Sequence, residues 1–186
     1  VNTDNRFFLI LRSLRVNQWI KNLVVFTAII FSGELFNRPV LLETVGAFFL
    51  FCLLSSTSYV FNDIIDYPND KKHPIKRFRP IASGRISIQE ATFTVFILVI
   101  VSLVLALLFS IQFFFISLLF LTLHIVYSLF LKKHPVIDIF SISLSFMVRA
   151  FAGVVATGLS IPIWLMFTIF FGSLFVATVK RDAELT

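Results

Sequence analysis

Long apolar runs separated by short charged segments set the pattern of this chain. A helix that crosses a bilayer needs about 20 mostly apolar residues, and six stretches approach that description. The first runs from Trp19 to Phe31, or on to Phe36 if Glu34 is included, and it is the shortest. The second covers Val40 to Phe61, with Pro39 at the helix start where proline is tolerated. The third covers Ile88 to Phe109, opened by Ser87 and Glu90 at the spacing of a capping box. The fourth runs from Phe113 to Leu131, the fifth from Val136 to Gly158 and the sixth from Ile163 to Val179. Pro135 and Pro162 mark the last two boundaries, because the residue before a proline is biased away from helix. The links at Ser110 to Gln112 and Lys132 to Pro135 are short enough to predict antiparallel helical hairpins. The expected fold is an all-α, polytopic transmembrane bundle.

Composition agrees with that pattern. The chain is 58% hydrophobic and 14% charged, with 25 Phe in 186 residues, whereas soluble domains carry about a quarter charged residues. A net charge of +6 raises the question of nucleic acid, but the cations lie in the links between apolar spans, so membrane orientation and anionic lipid or phosphate ligands explain them better. Of the 16 Lys and Arg, all but Arg38 and Arg149 fall on one side of the predicted bundle. The positive-inside rule makes that side cytoplasmic, so an inner-membrane protein with a cytoplasmic N-terminus is expected. The single Cys52 precludes an intrachain disulfide and reads as a buried thiol. The chain starts with Val and stops just past an apolar span, so residues 1–186 are expected to form one domain with further spans beyond Thr186.

Charge concentrates after the second span. Asp63, Asp66 and Asp70 fall at offsets of three and seven, which puts them on one side of a continuing helix, with Asn62 one turn before Asp66. Pro68 predicts a kink or an end near Tyr67. Carboxylates so spaced repel unless a cation joins them, and Mg²⁺ takes one or two carboxylates together with substrate phosphates. The alternative is an ordinary solvated helix end. Lys71, Lys72, His73, Lys76, Arg77 and Arg79 follow at once, among stiffening prolines, as either a topology signal or a phosphate-binding loop.

Arg149 lies 11 residues beyond Asp138 along the fifth span, about 16 Å by helical rise, and so near mid-membrane. An arginine there faces a bundle interior, as pocket residue or structural ion partner. Asp138 reads equally as a pocket acid or an N-terminal helix charge. His124 reads as a packing residue, while Tyr127 and Trp19 read equally as interfacial aromatics or ligand contacts.

The run Asn62-Asp63-x-x-Asp66-x-x-x-Asp70 after a second transmembrane helix resembles the first aspartate-rich motif of the UbiA superfamily of intramembrane prenyltransferases. Three further stretches look like its decaprenyl-phosphate phosphoribosyltransferase branch: Gln18-Trp19-Ile20-Lys21-Asn22, the run from His73 to Gly84, and Tyr127 to Lys132 continued by Pro135 to Asp138. Arg149-Ala150-x-Ala152-Gly153 and Lys180-Arg181-x-x-Glu184-Leu185 add to the likeness. Two departures stand out. Val16 follows Arg15 where the family has proline, and Lys180 to Glu184 replaces the superfamily's second aspartate-rich motif.

The resemblance implies about nine spans in a full-length member and transfer of 5-phosphoribose from phosphoribosyl diphosphate to a polyprenyl phosphate. It also implies Mg²⁺ at Asp63, Asp66 and Asp70 and phosphate contacts from Lys21, Lys76, Arg77 and Arg79. Lys132, Arg149, Lys180 and Arg181 would then receive the lipid phosphate, and Asn22, Asn62, Tyr127, Asp138 and Glu184 would complete the pocket. Two competing readings are a prenyltransferase with a prenyl diphosphate donor and a transporter or non-catalytic scaffold.

Overall fold

The computed structural model describes residues 6–183, which are helical apart from their links. Seven α-helices follow in order: α1 (Arg6–Leu14), α2 (Thr27–Phe31), α3 (Arg38–Asp70), α4 (Ile88–Phe109), α5 (Ile111–Leu129), α6 (Pro135–Thr157) and α7 (Ile163–Ala183). The last five are each long and apolar enough to cross a membrane, so this is an integral multi-pass protein. The first expected span is not a regular α-helix. Val16–Phe26 winds as a 3₁₀-helix and runs into the five-residue α2. The tighter winding rises about 2.0 Å per residue against 1.5 Å for an α-helix. Sixteen residues wound this way reach roughly 30 Å, the thickness of the hydrocarbon core, where an α-helix would fall short.

The helix ends follow local chemistry. Ser87 caps α4, accepting from the Glu90 amide while Glu90 reaches back to the Ser87 N–H. Ser110 alone joins α4 to α5, extended in conformation, and its hydroxyl accepts from the Phe113 amide. Gly158, at φ 67°, closes α6 in the left-handed region that glycine enters without strain. The helix does not end near Tyr67, since α3 continues past Pro68 to Asp70. A proline this near a helix end removes one hydrogen bond, and the Lys71 amide to the Tyr67 carbonyl (3.2 Å) holds the final turn.

α3 is the central element, packing against α1, α4, α5, α6 and the 3₁₀ segment. Its Phe51 is fully buried between Phe113 and Phe120 of α5, with ring centroids 5.8 and 5.0 Å away. Val25, Val148 and Ala152 extend this core toward the 3₁₀ segment and α6. A smaller cluster of Leu9, Val60, Ile81, Ile86 and Ala91 sits below it, under the α3–α4 link. The outer faces of α4 and α7 stay apolar and exposed, as at Phe93, Phe96, Phe167, Phe171 and Phe175, which suits a lipid boundary.

Candidate active site

With 33 residues, α3 is about 50 Å long and outreaches the hydrocarbon core. Its last turns carry the three aspartates clear of the apolar interior. At 100° per residue Asp70 lies about 20° from Asp63 around the helix, and Asp66 about 60° away. The pairing follows that division. Asp63 is 3% exposed, and one oxygen, Oδ1, accepts from Arg15 Nη2 at 2.5 Å and Arg79 Nη1 at 3.1 Å. The same Arg79 nitrogen donates to Asp70 Oδ2 at 2.6 Å. Asp66 turns toward the α5–α6 link, where Lys132 Nζ donates to its Oδ1 and also to Asn62 Oδ1 at 3.3 Å. Asn62 Nδ2 completes this group with a 2.9 Å bond to Asp66 Oδ2.

Among the described residues no three His, Cys, Asp or Glu side chains stand together as a ready metal cage. The three carboxylates face three cations instead of one another, because converging charges repel. The donors still suit Mg²⁺, which prefers hard oxygens and takes one or two carboxylates beside substrate phosphates.

The basic tract divides as well. Pro80, Ile81 and Ala82 are buried against α1 and α3, and this anchor aims Arg79 at the carboxylates. Lys76 and Arg77, also expected at the phosphate, lie exposed, with Arg77 over the ring of neighbouring Phe78. A short 3₁₀ turn spans Lys76–Phe78. Arg15, in the sequence one of the one-sided cations and the arginine after which the family has proline, is a central contact. It adopts the left-handed conformation at φ 51°, the one non-glycine residue to do so among those described, and stacks over Tyr59. No glycine marks that turn; the sequence signal is its place at the head of the motif that continues through Gln18 to Asn22.

A second polar group lies within the bundle. Arg149 is 3% exposed and has no carboxylate partner among the described residues; its Nε donates to Asn22 Oδ1 at 2.8 Å and its Nη1 to the Ser145 hydroxyl and carbonyl. Its guanidinium lies against the rings of Phe120 and Phe146. Asn22 is wholly buried, accepting also from Ser55 and donating to Cys52 Sγ. Lys21 feels the charges of Lys180, Arg149 and Arg15, so these four cations share one region. Nearby in sequence to the α5–α6 link, Tyr127 donates to Asp138 Oδ1 at 2.8 Å and Arg181 approaches Asp138 Oδ2 at 3.4 Å. Glu184 lies outside the described residues. His124 stacks on Phe120 and contacts its carbonyl, as a packing residue does. Trp19 Nε1 donates to Ser56, tying the 3₁₀ segment to α3.

Fold and site together define a polytopic helical membrane protein with a cation-covered acidic cluster at one end of its central helix. The sequence profile of the UbiA prenyltransferase family matches residues 23–184, and the chain belongs to that family. It is 36% identical to decaprenyl-phosphate phosphoribosyltransferase of Corynebacterium glutamicum over 179 residues, covering 94% of this chain and 54% of that protein. The enzyme of the same name from Mycolicibacterium smegmatis is 36% identical over 180 residues, 95% of this chain and 57% of that protein. The chain thus spans somewhat over half the length of these relatives. A UbiA homologue from Archaeoglobus fulgidus, solved bound to GPP and Mg²⁺, shares the fold with a TM-score of 0.76 at 24% identity, over 95% of this chain and 64% of that one.

Proposed function

We propose that this chain is the greater part of a Mg²⁺-dependent transferase moving 5-phosphoribose from phosphoribosyl diphosphate to a polyprenyl phosphate, with release of diphosphate. The observation that carries the reading is the Asp63–Arg79–Asp70 clamp. It joins the acidic motif to the His73 to Gly84 tract, the stretch that most resembles the phosphoribosyl branch. The names of the Corynebacterium and Mycolicibacterium relatives point the same way.

Asp63, Asp66 and Asp70 would hold Mg²⁺, which when bound neutralises charge on the diphosphate leaving group. Arg79, with Lys21, would contact the donor's phosphates. Lys132, Arg149, Lys180 and Arg181 would receive the lipid phosphate, whose chain leaves between helices into the bilayer. An oxygen of that phosphate attacks the anomeric carbon of the ribose as the bond to diphosphate breaks. The nucleophile is anionic at neutral pH, so no side chain has to remove a proton from it. Tyr127 and Asp138 would shape the lipid-phosphate side. In this reading residues 1–186 belong to a single domain, and the site and the N-terminus face the cytoplasm across the inner membrane.

The test is incubation of the purified protein in lipid with Mg²⁺, labelled phosphoribosyl diphosphate and polyprenyl phosphate. Label in the lipid extract is expected. No transfer from phosphoribosyl diphosphate, with transfer from a labelled prenyl diphosphate to a small acceptor, would replace this reading with the prenyltransferase one. Flux across proteoliposomes without conversion would favour a transporter.

A further inference from the structure

We propose that Arg15 and Arg79 are exchange ligands: they cover Asp63 and Asp70 while the site is empty of substrate, and transfer to the diphosphate when the carboxylates take the metal. This rests on the reading above and adds Arg15 to the substrate-contacting residues.

Access carries the argument. The Asp63 and Asp70 side chains are only 3% and 5% exposed, while those of Arg15 and Arg79 are each 26% exposed and lie over them. Anything approaching from the aqueous side meets the guanidinium groups first. Asp63 Oδ1 accepts from both arginines, and Arg79 Nη1 serves both Asp63 and Asp70. A metal that takes Asp63 Oδ1 or Asp70 Oδ2 must therefore displace an arginine. Charge decides what moves it. Arg15, Arg79 and Lys132 balance the three aspartates, so a bare divalent cation would enter a site already neutral and be repelled by the arginines. A metal arriving with diphosphate brings an anion that the displaced guanidinium groups bind as well as they bound carboxylate, often through paired N–H donors. Metal and diphosphate should then bind as a couple and each weakly alone.

The two arginines come from separate places. Arg79 stands on the buried Pro80-Ile81-Ala82 anchor, and Arg15 stands on a left-handed turn at the head of the 3₁₀ segment. Exchange at both would draw the N-terminal link and the α3–α4 link together over the donor.

The experiment measures Mn²⁺ binding to the purified chain in nanodiscs by electron paramagnetic resonance, with and without inorganic diphosphate. For the parent protein, diphosphate should tighten Mn²⁺ binding by at least about five-fold, the size of an ordinary coupling between ligands. In Arg15→Gln and Arg79→Gln, Mn²⁺ alone should bind more tightly than in the parent, while diphosphate affinity falls and the coupling shrinks. Arg15→Lys should keep part of the coupling. Weaker or unchanged Mn²⁺ binding in both Gln variants would overturn the proposal, and Arg79→Gln carries the test alone if Arg15→Gln does not fold. Opposite shifts in the two affinities, with no phosphoribosyl transfer, would sustain the exchange while removing the donor assignment. Transfer without those shifts would do the reverse.

Discussion

Gly153 is where the 3₁₀ segment and α6 come closest, and Gly153→Ala tests that approach directly. A Cβ at residue 153 would stand 2.0 Å from the Val25 carbonyl oxygen and 3.0 Å from its carbon, both backbone atoms that no rotamer change can move. Ordinary carbon–oxygen contacts begin near 3.3 Å, so the two segments must separate by about 1.3 Å. Arg149 lies one turn earlier on the same face of α6. Its 2.8 Å bond from Nε to Asn22 Oδ1 would stretch past the length at which it counts as a hydrogen bond.

Overpacking costs about 1–3 kcal/mol, and a lost hydrogen bond to a charged group about 1.5–3 kcal/mol. Replacing a helical glycine by alanine returns about 1 kcal/mol. The net is a destabilisation of about 3 kcal/mol, or roughly 6–12 °C in Tm for a chain of this size. Thermal unfolding in nanodiscs, followed by tryptophan fluorescence, measures it. Gly172→Ala is the internal control, because no atom lies within 4 Å of its added Cβ; it should be neutral or stabilising by up to about 1 kcal/mol. A Gly153→Ala protein as stable as Gly172→Ala would refute the close packing of Val25 on α6.

Three further outcomes are expected. Arg149→Met should leave Tm unchanged or raise it, since a mid-membrane arginine costs about 2.5–3.5 kcal/mol, while KM for the polyprenyl phosphate rises; a large loss of stability with unchanged KM would make Arg149 purely structural. Asp66→Asn should lower Mg²⁺-dependent transfer about 100-fold by removing the charge that Lys132 faces, and a variant with more than a tenth of parental turnover would place the chemistry elsewhere. Gly158→Ala should cost about 1–2 kcal/mol, because φ 67° strains an L-residue although no atom crowds the site; an unchanged unfolding temperature would contradict the left-handed cap.

How much of this was legible in the sequence depended on whether a feature was periodic, capped or neither. The five long helices were readable because apolar length and local punctuation agree: Ser87 with Glu90 opens α4, Pro135 starts α6 and Gly158 ends it. The first span was not, because a 3₁₀ winding leaves no clear mark on apolar residues and changes the reach of a short segment by its rise alone. Pro68 left a kink or an end open for α3, since a proline signals a lost bond without saying whether the next turn is held by others.

In the site, residue types and helical spacing disclosed the aspartates, and motif position disclosed Arg79 and Lys132. Nothing in the tract itself separates Arg79 from Lys76 and Arg77. The separation comes from the burial of Ile81, three-dimensional information that a run of alternating prolines and cations does not contain. Arg15 was hidden for a related reason, because the conformation that aims it normally announces itself by glycine.

The electrostatics of the two polar groups explain why one highly apolar bundle carries both. Around α3's end, Arg15, Arg79 and Lys132 answer three carboxylates, so that group is close to neutral and gains little from a free anion or a free metal. Around Arg149 the hydrogen-bond partners among the described residues are amide, hydroxyl and carbonyl groups, and Lys21, Arg15 and Lys180 lie in the same region. Burying a cation without a counter-ion is costly, and that cost falls when an anion enters. The first group therefore suits a metal–diphosphate couple and the second a lone phosphate from the membrane side.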